Sequence, residues 1–201
     1  MIGVSYHGYI PLAKKFLYEL GRSPAILEVG VDRGVTFLTM VTFLARCKRE
    51  FLAVGVDVMV QEQVRLMLNY TDLQPTQQAY LVEQNSLTAL PKMIEQGFKF
   101  DVLFLDGDHN YYTVSNELKH INALMNESGI IIIDDYDGRW ESKDLWYADR
   151  AGYEMNSEVT PKQETEKHGV KPAVDEWLES NTQWKKSKPI PGEPIVLTRE
   201  T

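Results

Sequence analysis

Apolar residues along the first two thirds of the chain alternate between two spacings. Leu12, Phe16, Leu17 and Leu20 recur at helical intervals, and Gly21 follows where a helix C-cap belongs. Ala25 to Val29 is a short buried strand. Val35 to Leu44 is apolar nearly all round, which predicts a helix covered on most sides. Phe51 to Val56 predicts a second strand and Gln61 to Tyr70 a helix with Val64 and Leu68 on one face. Tyr80 to Val82 is a weaker strand. Leu87, Leu90 and Ile94 mark a helix that Asn85 or Ser86 can cap and Gly97 can end. Phe100 to Leu105 and Ile130 to Ile133 are continuous apolar runs, as in strands covered on both faces. Between them Val114, Leu118, Ile121 and Met125 form an amphipathic stripe.

This alternation predicts an α/β fold: a Rossmann-like, doubly wound, mostly parallel sheet of about seven strands with helices on both faces. After Asp135 the periodicity stops. Residues 136–168 are polar with scattered aromatics (Tyr136, Trp140, Trp146, Tyr147, Tyr153), and a loop of that length is usually functional or disordered. Helical spacing returns at Val170, Val174, Trp177 and Leu178, and a last strand is expected from Pro194 to Thr198. The chain is read as one domain, residues 1–201, with 136–168 a lid or insertion.

Composition narrows the class. A hydrophobic fraction of 43% and a charged fraction of 25% are those of a globular domain. The net charge of −8 disfavours nonspecific nucleic-acid binding, which needs a surplus of Lys and Arg. Cys47 is the single cysteine, so no disulfide forms within the chain, as suits a reducing compartment. No apolar run approaches membrane-spanning length and no signal-peptide pattern opens the chain. A cytoplasmic protein without nucleic-acid or membrane partners is expected. His7, His120 and His168 show no ligand spacing to one another, which argues against zinc.

The first strand runs into Glu28-Val-Gly30-Val-Asp-Arg-Gly34-Val-Thr36, and a helix follows. Glycines there let the backbone turn sharply and approach a ligand, and the helix N-terminus offers free N–H groups to a carboxylate. A plain strand-to-helix turn has the same sequence. Asp57, at the end of the second strand, can accept both hydroxyls of a ribose, and Val58 can pack on an attached base. Asn85 and Ser86, after the third strand, can meet an adenine amino group or simply cap a helix. The order E-x-G-x-x-x-G, then Val-Asp, then Asn-Ser resembles the class I S-adenosylmethionine-dependent methyltransferases over roughly Ala25 to Ile133. That resemblance implies S-adenosylmethionine as cofactor, with Gly30 and Gly34 beside its methionine half and Asp57 on its ribose. Glu28, Thr36, Val58, Asn85, Ser86 and Asp106 complete the expected cofactor-binding set.

Acids cluster at two further strand ends, in Leu105-Asp106-Gly-Asp108-His109-Asn-Tyr111 and in Asp134-Asp135-Tyr136-Asp137. Adjacent parallel strands lie about 4.8 Å apart, so these carboxylates can converge on a hard divalent ion that removes their repulsion. Solvated loop acids would look the same. Leu-Asp-Gly-Asp-x-x-Tyr followed by Asp-Asp-Tyr, with Gly169-Val-Lys-Pro-Ala-Val-Asp-Glu-Trp177 later, resembles metal-dependent O-methyltransferases of the macrocin and novobiocin sugar-methylating type. Asp-Gly-Asp-His-x-Tyr also matches a wider clan of small methyltransferases. The narrower resemblance implies Mg²⁺ or Mn²⁺ on Asp106, Asp134 and Asp135, with Asp108 as general base; His109 is the alternative base. The expected substrate is a small hydroxylated acceptor, and an aromatic-bearing loop also suits contact with a second copy of the chain. A nicotinamide-dependent reductase lacks its third glycine here; a metal-independent methyltransferase and a non-catalytic adenosyl-binding module stay open.

Overall fold

A computed structural model describes residues 9–199; His7 lies outside them. Helix α1 (Tyr9–Glu19) buries Tyr9, Ala13 and Leu17, whereas Leu12, one of the apolar residues at helical spacing, is exposed. Then follow β1 (Ala25–Val29), α2 (Val35–Arg46), β2 (Phe51–Asp57), α3 (Glu62–Asn69), β3 (Gln77–Glu83), α4 (Ser86–Glu95), β4 (Phe100–Leu105), α5 (Tyr111–Leu124) and β5 (Met125–Ile133). The chain closes with α6 (Val170–Ser180), β6 (Trp184–Lys186) and β7 (Ile195–Arg199).

The seven strands form one sheet in the order β3-β2-β1-β4-β5-β7-β6, parallel except for β7, which runs antiparallel to β5 and β6. This is the predicted doubly wound architecture. Side chains alternate along each strand, so the sheet carries two cores. Leu27, Val29, Leu103 and Leu105 pack with α4, α5 and α6, while Ile26, Val102 and Phe104 pack with α1 and α2. Val29 pairs with both Val56 and Leu105, and Leu105 pairs with Ile133. The carboxyl ends of β2, β1, β4 and β5 therefore finish at one level. In open α/β sheets ligands bind outside that edge, at the point where strand order reverses. Here the reversal lies between β1 and β4.

Three local differences from the sequence reading have physical causes. Met125 leaves the α5 stripe and begins β5, where it pairs with Phe100. β3 is an edge strand with alternating exposure, which is why only its centre reads as a strand. β6, a three-residue edge strand, has too few residues to show periodicity; buried Trp184 anchors it by donating Nε1–H to Asn122 Oδ1 at 2.7 Å.

The apolar reading of β4 conceals a buried acid. Asp101 is fully enclosed and accepts hydrogen bonds from the Arg22 guanidinium, the Ala25 N–H at 2.8 Å and the Asn126 amide at 2.8 Å. It ties β1, β4 and β5 together at the end of the sheet opposite the acidic cluster. Asp101→Ala leaves these donors unpaired and, because Arg22 is half-exposed, is expected to cost about 1–3 kcal/mol, the range for an unsatisfied buried group. Urea unfolding checks this, and a loss below about 1 kcal/mol contradicts it.

Candidate active site

The turn after β1 is shaped by its contact with β4. Gly30 has φ 87°, and a Cβ there would sit 2.1 Å from the Asp106 carbonyl oxygen. Only glycine lets the tips of β1 and β4 approach this closely. Gly34 is the N-cap of α2 at φ 73°, and a Cβ would meet Val64 of α3 at 2.7 Å. Asp57 holds the turn from the β2 side. Its Oδ2 accepts the N–H of Val31 at 2.7 Å and of Asp32 at 2.9 Å, and its Oδ1 accepts the Met59 N–H at 2.9 Å. A carboxylate has about four acceptor positions, so Asp57 keeps capacity for a ligand while ordering the loop.

Outside these strand ends lies a cleft open to solvent. Gly30, Asp32, Asp57 and Val58 form one side, Ser86, Thr113 and Glu117 another, and Asp106 and Asp108 the β4 end. Tyr147, Tyr153, Val159 and Thr160 line it from the 136–168 segment. That segment has no regular structure beyond a 3₁₀ turn at Tyr147–Asp149, yet it is tied down on both sides. Tyr147 N–H donates to Asp108 Oδ1 at 3.0 Å. At the other side the Asn156 amide donates to the Val58 carbonyl at 2.8 Å, and the Asn85 amide donates to the Glu158 carbonyl and to Thr160 Oγ1. Residues 147–160 thus form a strap running from the end of β4 to the ends of β2 and β3. Tyr147 and Tyr153 pack edge to face, 5.0 Å between centroids.

Beside the cleft, Asp106, His109 and Asp134 bring one donor atom each within 4.8 Å of one another. His109 lies between two carboxylates, Nε2 at 3.7 Å from Asp106 Oδ1 and Nδ1 at 3.6 Å from Asp135 Oδ2. Burial pushes the Asp106 carboxyl well above its usual range, and Asp134 and Glu28 push it further. Burial also raises Asp135 and lowers the His109 imidazole. Glu28 is held high by burial and then by Asp57, and its buried Oε2 has no hydrogen-bond partner. Asp108 is raised to about 6 by burial, partly offset by hydrogen bonds from Tyr147, Thr113 and Asn110. Carboxylates this dense without a counter-charge are the signature of a place where a cation or a proton is accommodated.

Of the residues expected to bind cofactor, the structure gathers Gly30, Asp57, Val58, Ser86 and Asp106 around the cleft, together with the proposed base Asp108. Glu28 and Thr36 are buried behind it, in a smaller cavity that Asp106 and Asp134 also line. Gly34 lies outside both, against α3. Asn85 caps α4, its Oδ1 accepting the Leu87 N–H at 2.8 Å, and its amide is spent on the strap. The donor trio contains His109 where the sequence reading placed Asp135. Trp146 is buried beside Tyr112, and Trp140 stacks under Arg139, so of the five aromatics in that loop only Tyr147 and Tyr153 line the cleft. Glu117 was missed, although its position offered a signal: an acid three residues after Val114 and four before Ile121 stands on the apolar face of α5.

Comparison with known proteins gives a family. A model described as a methyltransferase domain matches residues 27–136. A viral relative, uncharacterized protein R132 of Acanthamoeba polyphaga mimivirus, is 46% identical over 41 residues, 20% of this chain and 19% of that one, so the match spans about a fifth of the relative. Among solved structures, CalS11, the TDP-rhamnose 3'-O-methyltransferase of calicheamicin biosynthesis, superposes with a TM-score of 0.58 at 18% identity over 93% of this chain and 77% of its own. MycE, the mycinamycin-pathway methyltransferase solved with Mg, S-adenosylhomocysteine and mycinamycin VI, gives 0.55 at 14% identity over 95% of this chain and 48% of its own. At these identities the likeness is one of fold. Among the described residues no helix is long and apolar enough to cross a membrane.

Burial, reinforced by Asp108, raises Glu117 from 4.5 to about 8. The folded state therefore holds a proton that the unfolded chain has released, and this group's contribution to stability falls as pH rises from about 4.5 to about 8. Urea unfolding at intervals across that window is expected to show a flatter pH dependence for Glu117→Gln than for the wild type. An unchanged slope contradicts the assignment.

Proposed function

This chain belongs to the methyltransferase-domain family, and on that premise we propose that it transfers the methyl group of S-adenosylmethionine to a hydroxyl of a small acceptor, with a divalent cation at the acidic cluster. The observation that carries this reading is the position of Asp106, which lines the cleft and belongs to the donor trio. One carboxylate joins the two sites, so donor and acceptor would meet beside the cation.

The residues fit both groups. Gly30, Asp57 and Ser86 stand at the ends of β1 and β2 and just after β3, an order that suits the methionine, ribose and adenine portions of the cofactor. The two carboxylates suit Mg²⁺ or Mn²⁺, and the imidazole favours Mn²⁺ of the two. Asp106, His109 and Asp134 would hold the ion, with Asp135 Oδ2 3.6 Å from the other imidazole nitrogen. S-adenosylmethionine, when bound, supplies an electrophilic methyl on a sulfonium. The ion, when bound, supplies Lewis acidity toward the acceptor hydroxyl.

The chain's own residues do the rest. Asp108 takes the hydroxyl proton; an acid raised to about 6 is ionised at neutral pH yet is a stronger base than an ordinary carboxylate. Thr113 Oγ1 and the Tyr147 N–H bond to its oxygens and aim it. The Tyr147–Tyr153 pair limits water in the cleft, and the ties at Asp108, Val58 and Asn85 let the strap act as a lid. A sugar or related metabolite is the acceptor class, by analogy with the TDP-rhamnose substrate of CalS11.

A panel of hydroxylated acceptors assayed with methyl-labelled cofactor tests this. Label is expected to enter a sugar-type hydroxyl, to stop with excess EDTA and to return with Mg²⁺ or Mn²⁺. Transfer that survives exhaustive chelation would leave Asp108 or His109 to work without a metal. Hydrogen exchange across 147–160 is expected to slow when S-adenosylhomocysteine binds, and identical exchange with and without it contradicts the lid.

A further inference from the structure

The two edges of the sheet are built differently. β6 closes one side with three residues, two of which are Lys185 and Lys186. Short length and lysine are among the devices that keep a sheet edge from pairing with another chain. β3 closes the other side and has neither. It runs for seven residues, Gln77-Gln-Ala-Tyr-Leu-Val-Glu83, without lysine or proline, and its parallel register on β2 is unbroken. Among the described residues no turn or loop backbone bonds to the main chain of residues 78–82. Tyr80, at the centre of the strand, is 52% exposed. An edge of this length with no guard is a template for a further strand.

The strand is also complementary to itself. Turned about a two-fold axis at Tyr80, two copies would pair antiparallel, with Tyr80 opposite Tyr80, Ala79 opposite Leu81, Gln78 opposite Val82 and Gln77 opposite Glu83. No charge meets a like charge in that register, and like charges directly opposite would be destabilising. This matters for a chain of net charge −8. Glu83, the one acid of the strand, is turned to its own chain, where it accepts the Val60 N–H at 3.0 Å and pairs with Arg65 at 2.8 Å. We propose that β3 is a dimerisation edge, through which two copies of this chain join by antiparallel strand pairing. Two seven-stranded sheets then become one, and the two Tyr80 rings cover each other at the axis. A two-fold contact uses the same patch on both copies. Antiparallel pairing also sends the carboxyl ends of the two sheets in opposite directions, so both clefts stay open.

Light scattering over a concentration series tests this. The wild type and Tyr80→Phe are expected to approach the mass of two chains as concentration rises. Tyr80→Lys sets like charges against each other at the axis and is expected to stay at one chain, with the circular-dichroism spectrum of the wild type. Cysteine substitutions test the register in a Cys47→Ala background, which removes the chain's own thiol. Tyr80→Cys places two thiols on residues about 4.5–5.5 Å apart between Cα atoms, within reach of a disulfide, and mild oxidation should link the dimer. Gln78→Cys places them about 14 Å apart and should not link. A wild type that stays at one chain at every concentration overturns the proposal. So does a dimer that persists in Tyr80→Lys or fails to link in Tyr80→Cys, since either result would put the contact on another surface.

Discussion

The contact between the tips of β1 and β4 governs the rest of the site. Gly30 lies so close to the Asp106 carbonyl that no side chain fits between them. That approach brings the glycine turn and the acidic cluster to the same edge of the sheet. It also fixes the cleft floor, because Gly30 N–H bonds to the Val56 carbonyl at 2.9 Å and Asp106 N–H to the Val29 carbonyl at 2.8 Å. The ladder thus continues past the strand ends into the turns that line the cleft, and Asp57 closes it by accepting from Val31 and Asp32. Functional groups held by extensions of the sheet are positioned more precisely than groups on free loops.

This rigidity concentrates negative charge. Glu28, Asp57, Asp106, Asp134 and Asp135 all stand at or near the ends of β1, β2, β4 and β5, and burial raises Glu28, Asp106 and Asp135. Such an arrangement costs stability in the empty protein. The same repulsion makes the edge receptive to cations, whether a sulfonium, an ammonium or a metal ion. Stability is recovered at the far end of the sheet, where Asp101 is matched by Arg22, and on the two faces by continuous apolar packing.

Much of this was legible in the sequence. Strands buried on both faces announce themselves as unbroken apolar runs, so β1, β2, β4 and β5 and the acids after them were readable in order. Adjacency was not: that β4 sits beside β1 follows from the crossover, and only then do Asp106 and Gly30 meet. His109 read only as an alternative base because spacing along the chain cannot show that its ring falls between Asp106 and Asp135. The strap was hardest. Its buried Val159 and Thr160 lack period because they follow the cleft rather than a helix or strand, so length and aromatic content were the readable clues. Glu117 was hidden by its neighbours, since an amphipathic stripe is read from its apolar members and the polar one among them is easily passed over.

The central claim is that one carboxylate, Asp106, joins a cofactor cleft to a cation site built with His109 and Asp134. Calorimetric titration of Mn²⁺ into the protein saturated with S-adenosylhomocysteine tests this most directly, with Asp134→Ala as the comparison. One ion per chain is expected to bind the wild type, with binding lost in the variant while S-adenosylhomocysteine affinity is retained. Equal Mn²⁺ binding by both proteins, or none by the wild type, would contradict the account.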